Sequence, residues 1–183
     1  MTLFDISFIG VGLAMDAAAV SMTNGMVYRN LKKSTYAAMP LFFGLFQAGM
    51  PVLGYYAGGL FQAIITRYSG FVIFLILGII GGRMIKEGIG ELKSGGTCAY
   101  KMMSLKILLF QSVATSIDAF AVGIGFNAAK ISVWQPAGLI GIITAVVVTA
   151  AIFIGRKFGD MLGCRAEILG GIILIVIGIK ALV

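Results

Sequence analysis

Two copies of one short motif each place a single aspartate in the middle of a long apolar segment. The copies are DAAAV at residues 16–20 and DAFAV at residues 118–122. A carboxylate at the centre of a bilayer costs at least about 2.5–3.5 kcal/mol, so intramembrane acids usually face a polar interior and serve a function. Because the same acid occurs twice in the same setting, we expect Asp16 and Asp118 to form one binding site.

Small residues share a helix face with each aspartate. At helical spacing the two stripes are Gly12, Asp16, Ala19 and Thr23, and Ala114, Asp118, Ala121 and Gly125. Small side chains let transmembrane helices approach closely, so we expect the two aspartate helices to cross near their centres. The alternative is tight packing in which each aspartate is only hydrogen-bonded to a neighbour.

The remaining residue types favour a hard divalent cation at this site. The chain contains no His, and its two cysteines, Cys98 and Cys164, lack the spacing of a thiolate metal site. Oxygen donors of this kind suit manganese or magnesium, and Met15 could bias the site toward a transition metal, although lipid or helix packing also explains it. The candidate ligands are Asp16, Asp118, Gln47, Thr115, Ser21 and Met15, together with Ser116, Met50 and backbone carbonyls. Because two carboxylates repel each other, a divalent cation or a proton must neutralise them.

The composition is that of an integral membrane protein. Apolar residues make up 60% of the chain and charged residues 11%, and the mean hydropathy is +1.04. Soluble domains average roughly half apolar and a quarter charged residues. Since the apolar runs are continuous and do not alternate, they predict helices and not a barrel.

Six segments are long enough to cross about 30 Å of hydrocarbon. They are Phe4 to Val27, Thr35 to Phe61, Tyr68 to Ile89, Leu105 to Ala128, Trp134 to Phe158 and Ala166 to Leu182.

The basic residues predict the orientation, because cytoplasmic loops are rich in Lys and Arg. Ten lie on one side of the predicted spans and three on the other, so both termini are expected outside. The ten are Arg29, Lys32, Lys33, Lys86, Lys93, Lys101, Lys106, Arg156, Lys157 and Arg165, and the three are Arg67, Lys130 and Lys180. The net charge of +7 is thus a topology signal, with some attraction to anionic membrane lipid, and it predicts no nucleic-acid partner.

The second half of the sequence repeats the first. Asp16 falls on Asp118 and Gly78 on Gly178, at offsets of 102 and 100 residues. Three helices per repeat is an odd number, so the second repeat must be inverted in the membrane, as in many secondary transporters. We expect one transmembrane domain, with repeat 1 at about 1–92, a cytoplasmic linker at 93–104 and repeat 2 at about 105–183.

Four further segments resemble a known family. LAMDA at 13–17, GGRMIxEG at 81–88, TSIDAxAVG at 115–123 and AEILGG at 166–171 are together similar to the MntP family of manganese efflux pumps, over essentially the full length. The resemblance implies a six-helix fold of the lysine-exporter superfamily type, and export of Mn²⁺ from the bacterial cytoplasm across the inner membrane. Asp16 and Asp118 match the family's intramembrane aspartates. Gln47 stands where some members have Glu, which leaves the number of ligands open.

Four other polar residues have two interpretations each. Arg83 could pair with an aspartate or extend to the membrane surface, and Glu167 could join the site or favour the start of the last helix. Asn24 and Asn127 could be relay ligands on opposite sides of the aspartates or caps of helix ends.

The expected function is therefore secondary transport of manganese(II) by alternating access, with manganese as substrate and no cofactor. Proton exchange is chemically reasonable, and the oligomeric state, a homo-oligomer included, stays open. The alternatives are an exporter of amino acids or of another divalent cation and, less favoured, an intramembrane aspartyl protease. Neither aspartate follows the Gly-x-Gly of such proteases, so we expect no enzyme.

Overall fold

Six α-helices form almost all of the described structure. The computed structural model describes residues 3–28, 33–57, 62–93, 103–162 and 165–180, and no strand occurs within these ranges. The helices are α1 (Leu3–Val27), α2 (Lys33–Ala57), α3 (Gln62–Lys93), α4 (Leu105–Ala128), α5 (Trp134–Leu162) and α6 (Arg165–Lys180). The all-α prediction is confirmed.

Several of these helices can span a membrane. Four are long and apolar enough to do so: Leu3–Val27, Thr35–Ala57, Leu105–Ala128 and Trp134–Gly159. Large apolar side chains cover the outside of the bundle, with Phe4, Phe8 and Ile142 exposed to 77%, 76% and 65%, as expected for a surface that lies in lipid. The count of six spans stays a prediction.

The helix ends differ from the predicted segments. The predicted segments leave residues 62–67 as a break between Phe61 and Tyr68, and this break is wrong, because α3 begins at Gln62 and runs through it. Helix α5 continues to Leu162, past the predicted end at Phe158. Hydropathy detects where hydrocarbon ends, whereas backbone hydrogen bonding continues into the interface. Most of the predicted linker at 93–104, including Cys98, lies outside the described residues, as does Cys164.

Each helix of the first half packs most extensively against a helix of the second half. The pairs are α1 with α5, α2 with α4, and α3 with α6, and α2 also packs on α5. Helices α3 and α6 are antiparallel, since Gly81 lies opposite Gly171 and Phe74 lies opposite Gly178. The two halves therefore interlock along their whole length.

Glycines allow the closest of these contacts. A Cβ added to Gly155 of α5 would collide with the backbone of Met22 in α1, and one added to Gly123 of α4 would collide with the backbone of Pro51 in α2. Backbone atoms cannot rotate away as the end of a flexible side chain can. The absence of a side chain at these positions sets the distance between the helices, as small residues do in other membrane bundles.

We predict that Gly155→Ala destabilises the protein by about 1–3 kcal/mol, the usual effect of overpacking. Gly138 lies on the same helix, and a Cβ there meets no atom within 4 Å. Gly138→Ala should therefore be neutral or slightly stabilising, because Ala favours helix over Gly by up to about 1 kcal/mol. Thermal unfolding of the two variants in detergent measures the difference, and equal unfolding temperatures would contradict the close contact.

Candidate functional site

Asp16 and Asp118 line one cavity of about 110 Å³ between four helices. Asp16 lies in the middle of α1 and Asp118 in the middle of α4, and the two carboxylates are close enough to interact electrostatically. The lining residues are Asp16, Ile73, Leu77, Ala114, Thr115, Asp118, Ile177 and Lys180.

An antiparallel arrangement of α1 and α4 brings the two aspartates to one cavity. Ala17 and Ala119, which directly follow the aspartates, are fully buried, each in a different apolar cluster of the core. Asn24 of α1 is hydrogen-bonded to Gln111 of α4. Asn24 lies eight residues after Asp16 on α1, whereas Gln111 lies seven residues before Asp118 on α4. The two helices therefore run antiparallel.

The cavity is poor in groups that could stabilise two charges. The Asp118 carboxylate accepts one hydrogen bond of 2.7 Å from the backbone N–H of Ala119. Ile73 and Leu77 of α3 and Ile177 of α6 form apolar walls. Charge interactions are stronger beside such walls than in water.

Thr115 lies in the cavity with its hydroxyl proton already engaged. The Thr115 hydroxyl donates to the carbonyl of Gln111 at 3.0 Å, one turn earlier on α4. Since the proton is used within the helix, the lone pairs of the oxygen remain for a ligand in the cavity. The structure thus brings three predicted ligands together: Asp16, Asp118 and Thr115.

The other predicted ligands do not line this cavity. Gln47 is fully buried, and its amide donates to the carbonyl of Leu13 at 3.2 Å. The Gln47 Oε1 and the Ser21 hydroxyl are buried without a hydrogen-bond partner among the described residues. Met15 is 61% exposed on the outer surface of the bundle. Their roles as ligands stay predictions.

Lys180 is a cavity residue that the sequence analysis treated only as a topology charge. It ends α6 and lines the cavity, yet no ion pair joins it to Asp16 or Asp118, all three of which the structure describes. The position of Lys180 inside the last apolar segment could have indicated that it lies near the site. Four residues of the chain, Asp16, Thr115, Asp118 and Lys180, therefore give the cavity its polar character.

A buried pair of amides joins α1 to α4 about two turns from the aspartates. Asn24 donates to Gln111 Oε1 at 2.8 Å, and Gln111 donates to Asn24 Oδ1 at 3.2 Å. Both residues are 1% exposed. Eight residues separate Asn24 from Asp16, which is about 12 Å along a helix. Gln111 was not predicted from the sequence, although a polar residue two turns before Asp118 in an apolar segment could have indicated it.

The remaining polar residues singled out from the sequence lie elsewhere. Asn127 donates to the carbonyl of Tyr55 at 2.9 Å, and Arg83 forms an exposed ion pair of 2.6 Å with Glu87 on its own helix. Glu167 is buried at the start of α6. None of the three lines the aspartate cavity.

The described residues contain no group of three or more His, Cys, Asp or Glu side chains arranged to hold a metal ion. Two carboxylates alone cannot complete the shell of a divalent cation, which takes about six oxygen ligands. The other ligands would have to be neutral oxygens, such as the hydroxyl of Thr115, backbone carbonyls and water.

Comparison with known proteins assigns the chain to a transporter family. The profile of the family described as "Putative manganese efflux pump" matches residues 30–182. A relative from Ruminiclostridium cellulolyticum is 40% identical over 183 residues, which cover 100% of this chain and 96% of the relative. One from Methanobrevibacter smithii is 42% identical over 181 residues, covering 99% and 97% of the two chains. Both relatives carry the name "Putative manganese efflux pump MntP".

No solved structure matches this chain. The relatives are named as efflux pumps, which are transporters and not enzymes, as expected from the sequence. With full-length matches to curated relatives and a family match over most of its residues, the chain belongs to the MntP family of manganese efflux pumps.

Proposed function

We propose that this protein exports Mn²⁺ across the bacterial inner membrane by alternating access, with Asp16 and Asp118 as the charged ligands. The observation that carries the proposal is that these two aspartates, one from each repeated motif, share one cavity in the middle of the bundle. The names of the relatives support manganese as the substrate.

The size and chemistry of the cavity support a partly hydrated ion. At about 30 Å³ per liquid water molecule, the cavity of about 110 Å³ holds an ion with a few water molecules. Two carboxylates and the Thr115 hydroxyl offer the oxygen ligands that Mn²⁺ accepts in octahedral sites. Mg²⁺ accepts the same ligands, so transport must be compared between the two ions.

Lys180 gives the cavity a positive charge, which repels a bound cation. With both aspartates ionised, the ammonium group of Lys180 neutralises part of their charge when no metal is bound. When Mn²⁺ enters, the same ammonium group repels it. A site with this arrangement binds the ion less tightly than two carboxylates alone would, and that favours release, which an exporter requires.

Proton exchange follows from the same electrostatics. When Mn²⁺ leaves, two carboxylates between apolar walls repel each other, and a proton is the simplest replacement for the ion. We propose that protons enter the cavity as manganese leaves it. Measuring Mn²⁺ flux with and without an imposed pH gradient tests this exchange.

The packing supports an inverted repeat as the basis of alternating access. Helices α1 and α4, which carry the two aspartates, are antiparallel, as are α3 and α6. The pairing of α1 with α5 and of α2 with α4 is what a two-fold relation between the halves would produce. Rocking of one half against the other would open the cavity on the Lys180 side or on the side of the Asn24–Gln111 pair.

The basic residues support an orientation with both termini outside. In this orientation the Asn24–Gln111 pair closes the cytoplasmic side of the site, and Lys180 lies on the outer side. The repeats at about 1–92 and 105–183 then form one transmembrane domain. The tightly bonded amide pair would have to separate before cytoplasmic Mn²⁺ reaches the aspartates.

An amino acid is the second candidate substrate, because Lys180 supplies the cationic partner that a substrate carboxylate requires. Two carboxylates against one ammonium group still favour a cation over a zwitterion. Amino acids should therefore be included as competitors in the transport assay.

The decisive experiment is the removal of one carboxylate at a time. We expect Asp16→Asn and Asp118→Asn each to abolish Mn²⁺ transport in proteoliposomes while the protein still inserts and folds, since the amide keeps the volume of the side chain. Asp5→Asn is the matched control, because Asp5 is exposed in the first turn of α1. Transport near the wild-type rate in either cavity variant would remove that aspartate from the site.

Lys180→Gln should strengthen metal binding. Without the repelling ammonium group, we expect the Mn²⁺ dissociation constant to fall by up to roughly tenfold, as measured by calorimetric titration. Lys180→Arg keeps the charge and should bind as the wild type does. An unchanged or higher dissociation constant in Lys180→Gln would show that the ammonium group does not act on the ion.

We propose that Gln47 is a ligand in another conformation of the transport cycle, because its buried Oε1 has no hydrogen-bond partner among the described residues. We expect Gln47→Glu to raise Mn²⁺ affinity at alkaline pH and to lose binding more steeply as the pH falls, since the new carboxyl must release its proton before it coordinates. Calorimetric titration at two pH values measures both effects. Unchanged affinity at both would place Gln47 outside the site.

A further inference from the structure

A groove lies on the outer surface of the bundle, between the first half of α2 and the second half of α5. It has a volume of about 720 Å³ and is separate from the aspartate cavity. Tyr36 and Pro40 of α2 line one wall, and Thr149, Phe153 and Arg156 of α5 line the other. On α5 these residues share one helix face, since they are separated by three or four positions.

One end of this α2–α5 groove is polar. The guanidinium of Arg156 lies 5.7 Å from the centre of the Tyr36 ring, and Tyr36 is stacked on Phe153 with 6.5 Å between ring centres. The hydroxyl of Tyr36 is buried without a hydrogen-bond partner among the described residues. Arg156 is exposed, and no hydrogen bond engages its guanidinium within the described residues, so its N–H groups can donate to an anion.

The other end of the α2–α5 groove is apolar. Pro40 has no N–H to offer, and the hydroxyl of Thr149 donates to the carbonyl of Ala145 on its own helix at 2.7 Å. The side chains at this end therefore present carbon atoms to whatever occupies the groove. A ligand that fits must have an anionic end and a hydrocarbon end.

The positions along α5 place the polar end of the groove at the depth of the lipid headgroups and the apolar end at the depth of the acyl chains. Trp134 begins α5, and Arg156 lies 22 residues later, which is about 33 Å along a helix. This distance is close to the hydrocarbon thickness of about 30 Å, and tryptophan prefers the membrane interface. Arg156 is thus at the level of the lipid headgroups on the opposite side, and Thr149 lies about 10 Å deeper.

We propose that the α2–α5 groove is a binding site for one anionic phospholipid. The phosphate binds the guanidinium of Arg156, which suits phosphate geometry. One acyl chain lies along Pro40 and Thr149. This side of the protein carries most of its basic residues, so anionic lipid is concentrated there.

Native mass spectrometry of the full chain in detergent, with phosphatidylglycerol or phosphatidylcholine added, tests the proposal. We expect one molecule of phosphatidylglycerol to bind more tightly than phosphatidylcholine, and Arg156→Gln to weaken its binding roughly fivefold, the effect of one basic residue at a lipid surface. Lys157→Gln is the matched control, because it removes an equal charge at the same depth from a residue that does not line the groove.

A second variant keeps the charge and blocks the apolar end. Thr149→Trp should fill the acyl-chain part of the groove and weaken phosphatidylglycerol binding while Arg156 remains. Thermal unfolding without lipid shows whether each variant is folded. Equal binding of the two lipids to the wild type, or equal losses in Arg156→Gln and Lys157→Gln, would mean that lipid only surrounds the protein and would overturn the proposal.

Discussion

Two carboxylates held close together between apolar helices are the constraint on which the rest of this structure depends. Asp16 and Asp118 share a cavity in which apolar side chains make up much of the wall. Two negative charges repel each other, so such a pair requires compensating charge or hydrogen bonds nearby. Thr115, Lys180 and one backbone N–H supply only part of this compensation, which is the reason we propose a cation in this cavity.

The two helices that carry the aspartates each lie unusually close to a helix outside the cavity. Gly155 and Gly123 lie against the backbones of neighbouring helices, and alanines follow both aspartates. In a bilayer, such contacts supply much of the attraction between helices, because apolar side chains gain little by leaving lipid for protein. The same contacts join the first half of the chain to the second, so any motion between the halves changes the cavity.

Polar groups in the interior are satisfied unevenly. The amides of Asn24 and Gln111 bond each other twice, whereas Gln47 Oε1 and the hydroxyls of Ser21 and Thr144 find no partner among the described residues. A buried polar group without a partner costs about 1–3 kcal/mol. The paired amides therefore stabilise the contact between α1 and α4, while each unpaired group carries that free-energy cost.

The sequence by itself determined that the chain is a helical membrane protein of the MntP family and that Asp16 and Asp118 are its exceptional residues. The family follows from the resemblance of four sequence segments, and the other two conclusions rest on composition and on the free energy of a charge in hydrocarbon, which depend little on neighbouring helices. Only the tertiary structure decided which polar residues meet. Thr115 and Lys180 line the aspartate cavity, whereas Gln47, Ser21 and Met15 do not. Apolar segments without a strong amphipathic face carry little information on how each helix is rotated, because that rotation is set by glycine contacts between helices distant in sequence.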